Sequence, residues 1–371
     1  MTDPSPTHKE ERVVHGAFDY GELARLGLHP SDIHDFSVNS NPYGPSPAVH
    51  TAIAQVAIER YPDRECWQLR QAILEYELMG LDIAFSSIVC GNGASELIWA
   101  LAHAFLAPGK KALIVAPTFG EYRAASLAAG ATIIELSAQE ERQFQPDLMA
   151  LRSRIVQEKP GVVWLCNPNN PTGTWLEYEQ LSLLLDICHS AEALLVIDES
   201  YWRFVTPPAT YTALHLMQEH PGLPLLVVRS LTKDFALASL RLGYAVSSPE
   251  LIKHVQAQLP SWNVNGLAQA AGIVALRDRA HLHTTLTALT GERQAFFAAL
   301  QEAGLHMLPS RTHFCLIAVG NAQLVRLELL MQRLLVRDCT SFGFPHYIRV
   351  ATRPAYEWRL LLQALRKVVS S

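Results

Sequence analysis

From residue 87 onward the chain repeats one pattern that leaves few folds open. Seven short apolar runs occur in order: SIVCG (87–91), ALIVAP (112–117), ATIIEL (131–136), GVVWLC (161–166), ALLVIDE (193–199), PLLVVRS (224–230) and LGYAVS (242–247). Several are apolar without polar alternation, as strands covered on both faces require. Helical stretches such as Ser95 to Leu106 and Glu177 to His189 lie between them. Strand and helix in alternation build a largely parallel sheet with helices on both faces. The last run follows SLTK after a short link, which suits an antiparallel strand. Ahead of this region, DFSVNSNPYGPSP (35–47) reads as an ordered loop. Apolar positions from Ser46 to Tyr61 fit a helix ending before Pro62. A long helical stretch spans about Leu267 to Leu300, and mixed strands and helices fill Gly304 to Ser371. We therefore expect an N-terminal arm and loop (1–45), a large α/β domain with a mostly parallel seven-stranded sheet (46–265) and a small α/β C-terminal domain (266–371).

Composition narrows the function. Net charge is −5 with no long basic run, so neither nucleic acid nor an anionic membrane is the expected partner. The polar start, Met1 to Arg12, lacks the apolar stretch of a signal peptide. The apolar stretch from Leu97 to Val115 is broken by Pro108, Gly109, Lys110 and Lys111. Six widely spaced cysteines, none in a CxxC pair, read as reduced buried thiols of a cytoplasmic protein. No metal-binding motif is expected.

Chemistry gathers where apolar strands end, because ligands of open α/β sheets bind at the carboxyl ends of strands. Ser230-Leu231-Thr232-Lys233 follows one such strand, with Arg241 eight residues after the lysine. A lysine there can bond an aldehyde cofactor, and two hydroxyls with a guanidinium can hold a phosphate. Asp198 ends another strand, placed to pair with a protonated pyridine nitrogen, with Tyr201 three residues on. Asn167-Pro168-Asn169-Asn170-Pro171-Thr172-Gly173 is a rigid turn after GVVWLC that can aim an amide at a ring oxygen. Gly91-Asn92-Gly93-Ala94-Ser95-Glu96 joins a strand to a helix, whose free N–H groups suit an anion. It has neither P-loop nor dinucleotide-fingerprint spacing.

Taken together, GNGAS, PTF, NNPTG, DESY, SLTK and RLGY occur in an order that resembles the fold-type I pyridoxal-phosphate enzymes of the aminotransferase class I/II superfamily. The resemblance implies pyridoxal 5'-phosphate as cofactor and Lys233 as its Schiff-base lysine and catalytic residue. It makes Asp198 the pyridine partner, with Asn170 and Tyr201 at the ring oxygen and Phe119 stacked on the ring. Ala94, Ser95, Ser230, Thr232 and Arg241 would hold the cofactor phosphate. Tyr61, in RYPD, would reach a cofactor across the interface of a homodimer. Within the superfamily the chain resembles histidinol-phosphate aminotransferases and, more closely, the threonine-phosphate decarboxylases of the cobalamin pathway. That likeness implies a phosphorylated amino-acid-like substrate, with His15, Gly16, Asn41, Arg337 and Arg349 in its binding. Arg349 would clamp a carboxylate and Arg337, read as a loop residue, a phosphate. The decarboxylase pattern HGGN is departed from here, where His15-Gly16-Ala17-Phe18 stands.

Overall fold

The computed structural model describes residues 13–369. Of the expected N-terminal arm and loop (1–45), residues 1–12 lie outside that range. A helix over Tyr20–Leu26 leads to a two-residue strand β1 (His34–Asp35) and a helix over Pro47–Ala54. That helix stops well short of Tyr61, because the apolar residues beyond it meet no core: Ile58 is exposed. The seven apolar runs become strands β2 (Ile88–Asn92), β3 (Lys111–Ala116), β4 (Thr132–Ser137), β5 (Val162–Cys166), β6 (Leu194–Asp198), β7 (Leu225–Ser230) and β8 (Leu242–Val246). They form one sheet in the order β2-β8-β7-β6-β5-β3-β4.

Only β8 runs against its neighbours. Eleven residues separate β7 from β8, with a single 3₁₀ turn over Ala238–Leu240 among them. That is too little for the helical crossover a parallel neighbour needs, so the chain turns straight back. Successive residues of the central strands feed opposite cores. Leu113 and Val115 enter the core on one face, whereas Ala112 and Ile114 enter the other. Val163 with Leu165, and Val162 with Trp164, divide in the same way. Both faces are covered by helices, which is why the runs carry no polar alternation.

The expected long helix is two: Gly266–Arg277 and Arg279–Glu302, divided at Asp278. The Asp278 carboxylate accepts from the His281 amide, capping the second helix, and from Ser46 Oγ at 2.6 Å. Ala268, Ala271, Ala275 and Leu276 of the first helix join the large core. Not until Phe296, Phe297 and Leu300 do side chains of the second enter the C-terminal core. The apolar cores thus divide inside this helix. The C-terminal unit holds β9 (Phe314–Ala318), β10 (Leu334–Leu335), β11 (Arg337–Asp338) and β12 (Tyr347–Ala351). Its antiparallel sheet has the order β11-β12-β9, while β10 pairs in parallel with β1. Phe36, next to β1, is fully buried in the C-terminal core. Among the described residues no helix is long and apolar enough to cross a membrane, and all six cysteines are free and buried.

Candidate active site

A cavity of about 370 Å³ opens over the carboxyl ends of β3, β5, β6 and β7. Winding reverses between β3 and β5, the topological position where open α/β sheets bind ligands. Phe119 and Gly120 follow β3, Asn170 follows β5, Asp198 and Tyr201 end and follow β6, and Ser230, Thr232 and Lys233 end and follow β7. Lys233 Nζ stands 5.8 Å from the Tyr201 ring centre. Burial pushes the lysine down to about 8, helped by the Arg349 and Arg241 charges and opposed by Asp198. Next to it, buried Asp234 pairs with Arg203 Nε at 3.0 Å, and Arg229 at the end of β7 pairs with Glu199 at 2.8 Å. These buried pairs fix the backbone on which Lys233 sits.

The phosphate-binding candidates converge at one corner. Ser230 Oγ and Thr232 Oγ1 are 2.6 Å apart. Opposite them the helix Gly93–Phe105 begins, with Ala94 and Ser95 in its first turn. Gly93 has φ +80, and a Cβ there would meet Arg241 Nη2 at 2.7 Å, so glycine lets the guanidinium lie against the helix start. A Cβ at Gly243 of β8 would meet the Ala94 nitrogen at 2.7 Å. The corner offers helix N–H groups, two hydroxyls and a guanidinium, a donor set made for a phosphate dianion.

Asp198 is 4% exposed, yet it accepts from the Ser200 amide at 2.8 Å and from Tyr122 Oη at 2.7 Å. Burial raises its pKa, and the Ser200 side chain, the Tyr122 hydroxyl, the Ser200 amide and the Lys233 charge hold the rise back. Tyr122 escaped the sequence reading. It lies three residues after Phe119, in the first turn of the helix Glu121–Ala128.

At the far side, β11 and β12 carry Arg337 and Arg349 directly opposite each other in register. Arg337 is thus a strand residue; β11 is only two residues long, too short to read as periodicity. Both guanidiniums are buried and line the cavity, and among the described residues neither is in a salt bridge. Arg349 donates to the Ser37 carbonyl at 2.5 Å and to Asn170 Oδ1. Arg337 Nη2 donates to the Val14 carbonyl at 2.7 Å and to Ser341 Oγ at 2.6 Å. Burial, with Arg349 as a like charge nearby, pushes Arg337 down to about 10.

The segment 14–17 straps across the cavity mouth. His15 Nε2 bonds Glu121 Oε1 at 2.8 Å, so the imidazole is already engaged by an acid. A Cβ at Gly16 would lie 2.4 Å from the Ser37 carbonyl oxygen. Ala17 holds φ +86 and donates its amide to Ser37 Oγ at 2.8 Å. Asn41 does not reach the cavity. Its side-chain amide donates to the Asp234 carbonyl and to Thr285 Oγ1, and its backbone N–H to the Lys233 carbonyl. It holds the lysine segment instead. Two residues earlier, Asn39 lines the cavity with both amide atoms buried and unpartnered, a position distinguishable from Asn41 only through the fold. Tyr61 is 81% exposed, tilted 30° against Trp262 with ring centres 4.7 Å apart, and lies apart from this chain's cavity.

Residues 31–367 match the model of the family described as aminotransferase class I and II. The chain belongs to the aminotransferase class I and II family. Among its relatives, the histidinol-phosphate aminotransferase of Geobacillus sp. (strain WCH70) is 31% identical over 342 residues, 91% of this chain and 91% of the relative. A protein of Caldanaerobacter subterraneus subsp. tengcongensis, designated a threonine-phosphate decarboxylase, is 34% identical over 358 residues, 93% of this chain and 95% of that one. Among solved structures, the histidinol-phosphate aminotransferase of Sinorhizobium meliloti, in complex with pyridoxal-5'-phosphate, superposes with a TM-score of 0.82 at 23% identity. It covers 94% of this chain and 93% of that one. The fold is that of the fold-type I enzymes. The chain is a pyridoxal-phosphate-dependent enzyme. The cavity suits that cofactor on its own chemistry. A lysine held near neutrality, a buried carboxylate and a phosphate corner line one space.

Proposed function

We propose that the enzyme acts on a phosphorylated amino acid and is an L-threonine O-3-phosphate decarboxylase, working as a homodimer. One observation carries this reading. Arg337 and Arg349 face each other across β11 and β12, both buried on the cavity and neither ion-paired among the described residues. Two desolvated positive charges with no salt bridge among the described residues are costly unless the ligand brings anions. O-phosphothreonine brings two, a carboxylate for Arg349 and a phosphate for Arg337.

When bound, pyridoxal phosphate supplies an aldehyde for the substrate amine and a ring that accepts the electron pair released at Cα. In this reading Asp198 keeps a proton at the ring nitrogen, Phe119 covers the ring, and Asn170 and Tyr201 face the ring oxygen. Ala94, Ser95, Ser230, Thr232 and Arg241 hold the cofactor phosphate. Lys233, at about 8, is poised between its protonated and neutral forms, and returns a proton to Cα after carbon dioxide leaves. The strap with His15 and Gly16 excludes water from the anion end. Tyr61, exposed on this chain, serves the second copy's cofactor.

A histidinol-phosphate aminotransferase is the second reading, favoured by the Geobacillus relative. Its substrate carries the phosphate for Arg337 but no carboxylate, which its amino acceptor would supply. Purified protein is given O-phosphothreonine, and separately histidinol phosphate with 2-oxoglutarate. Carbon dioxide from the first supports the decarboxylase; glutamate from the second, without carbon dioxide from the first, overturns it.

A further inference from the structure

Asp198 and Tyr122 stand 76 residues apart in sequence, on the last residue of β6 and on the helix that follows β3. The Tyr122 hydroxyl donates to Asp198 Oδ2 at 2.7 Å, while the Ser200 amide takes Oδ1 at 2.8 Å. Tyr122 is 1% exposed, so its hydroxyl has no water to fall back on. The ring cannot swing. It stacks on Trp164 of β5 at 5.3 Å with planes 14° apart, and Phe119 meets it edge-on at 5.8 Å. Trp164 Nε1 in turn donates to Ser126 Oγ at 3.1 Å, one turn further along the helix that carries Tyr122. The phenol is thus held between Trp164 and Phe119 and aimed at one carboxylate oxygen.

We infer that Tyr122 is a positioning residue for the cofactor ring: its hydroxyl locks the Asp198 carboxylate and sets how firmly the ring nitrogen keeps its proton. The inference rests on the reading of Asp198 as the ring-nitrogen partner. Each donor to a carboxylate stabilises its anionic form and lowers its basicity. A buried carboxylate stripped of one donor becomes the stronger base of the pair. The shared proton then moves from the ring nitrogen toward Asp198, and the ring becomes a poorer electron sink. With the hydroxyl in place, the carboxylate stays anionic, oriented, and weak enough to leave the proton on the ring. The Ser200 side chain is a second donor that lowers Asp198, but it comes from the same loop as the Ser200 amide, whereas Tyr122 reaches Oδ2 from another element. Lys233 acts on it through charge alone, and the Cys166 thiol is turned to the Pro168 carbonyl at 3.2 Å.

Tyr122→Phe keeps the ring and its stacking and removes only the hydroxyl. The holoenzyme is prepared with pyridoxal phosphate labelled with nitrogen-15 in the ring, as wild type, Tyr122→Phe, Asp198→Asn and the double variant. In Tyr122→Phe the ring nitrogen resonance should move toward the value of unprotonated pyridine. The cofactor dissociation constant should rise about tenfold, ~1.4 kcal/mol. In the Asp198→Asn background the same substitution should change neither quantity, because the coupling partner is gone. An unmoved resonance in Tyr122→Phe, where Asp198→Asn does move it, overturns the role of Tyr122 alone. So does an equal loss of affinity in both backgrounds, which marks simple packing. If Asp198→Asn leaves the resonance in place, the reading of Asp198 falls, and the inference with it.

Discussion

Lys233 is the proposed anchor of the cofactor, and its titration gives a check that needs no substrate. Its pKa is pushed from 10.5 down to about 8 by burial and by Arg349 and Arg241. Below pH 8 the lysine is charged in folded and unfolded chains alike, and the folded state bears the full penalty of a buried charge. Between pH 8 and 10.5 the unfolded chain binds the extra proton, so the penalty is relieved as pH rises. Cofactor-free wild type should therefore gain about 3 kcal/mol on Lys233→Met across that window, read as the difference between their denaturant unfolding curves. A constant difference across the window would show that the lysine titrates normally. Borohydride reduction of the holoenzyme should fix the cofactor on Lys233, and peptide mapping to another lysine would refute the anchor. Asp198→Asn should leave the fold intact and lower kcat by roughly two orders of magnitude or more. Arg337→Ala should lower kcat/KM for the phosphorylated substrate roughly ten- to a hundredfold and spare an unphosphorylated analogue. Equal losses on both substrates would remove Arg337 from phosphate reading.

At the level of elements, the phosphate corner depends on how closely β8 approaches the start of the helix Gly93–Phe105. Gly243→Ala adds a methyl 2.7 Å from the Ala94 nitrogen and 2.9 Å from the Arg229 carbonyl oxygen, so strand and helix must part. Pyridoxal phosphate should then bind at least tenfold more weakly, while pyridoxal, lacking the phosphate, should lose little. A parallel loss for both would place the damage elsewhere. The same elements show how far sequence reaches. The seven strands were legible because each is a local run of apolar residues, and Lys233 and Asp198 because they sit where such runs stop. Asp198's partner Tyr122 was hidden, since 76 residues and two strands, β4 and β5, lie between them in sequence and no local pattern joins them. Asn39 and Asn41 look alike in a run of turn residues, and only burial against Thr285 and the Lys233 segment separates the structural one from the cavity one. Arg337 read as a loop residue because β11 has no room for periodicity.

For the whole molecule, the exposed Tyr61–Trp262 pair is the testable sign of a second copy. Sedimentation should give twice the 41.1 kDa chain mass. Tyr61→Phe should weaken cofactor affinity without changing that mass, and monomeric sedimentation of an active enzyme would end the two-copy reading. The reversed strand β8 shapes the molecule in another way. Because the chain doubles back after β7, Lys233 and Arg241 lie on one eleven-residue connector between two paired strands. A single nick between Asp234 and Ala238 would leave both strands seated in the sheet, yet it would assign Lys233, the proposed covalent tether, to one fragment and Arg241, the proposed phosphate-binding guanidinium, to the other. Two separately expressed halves, meeting only through the sheet, would then have to reassemble before either could retain the cofactor. The yellow colour of the holoenzyme would thereby report fragment complementation.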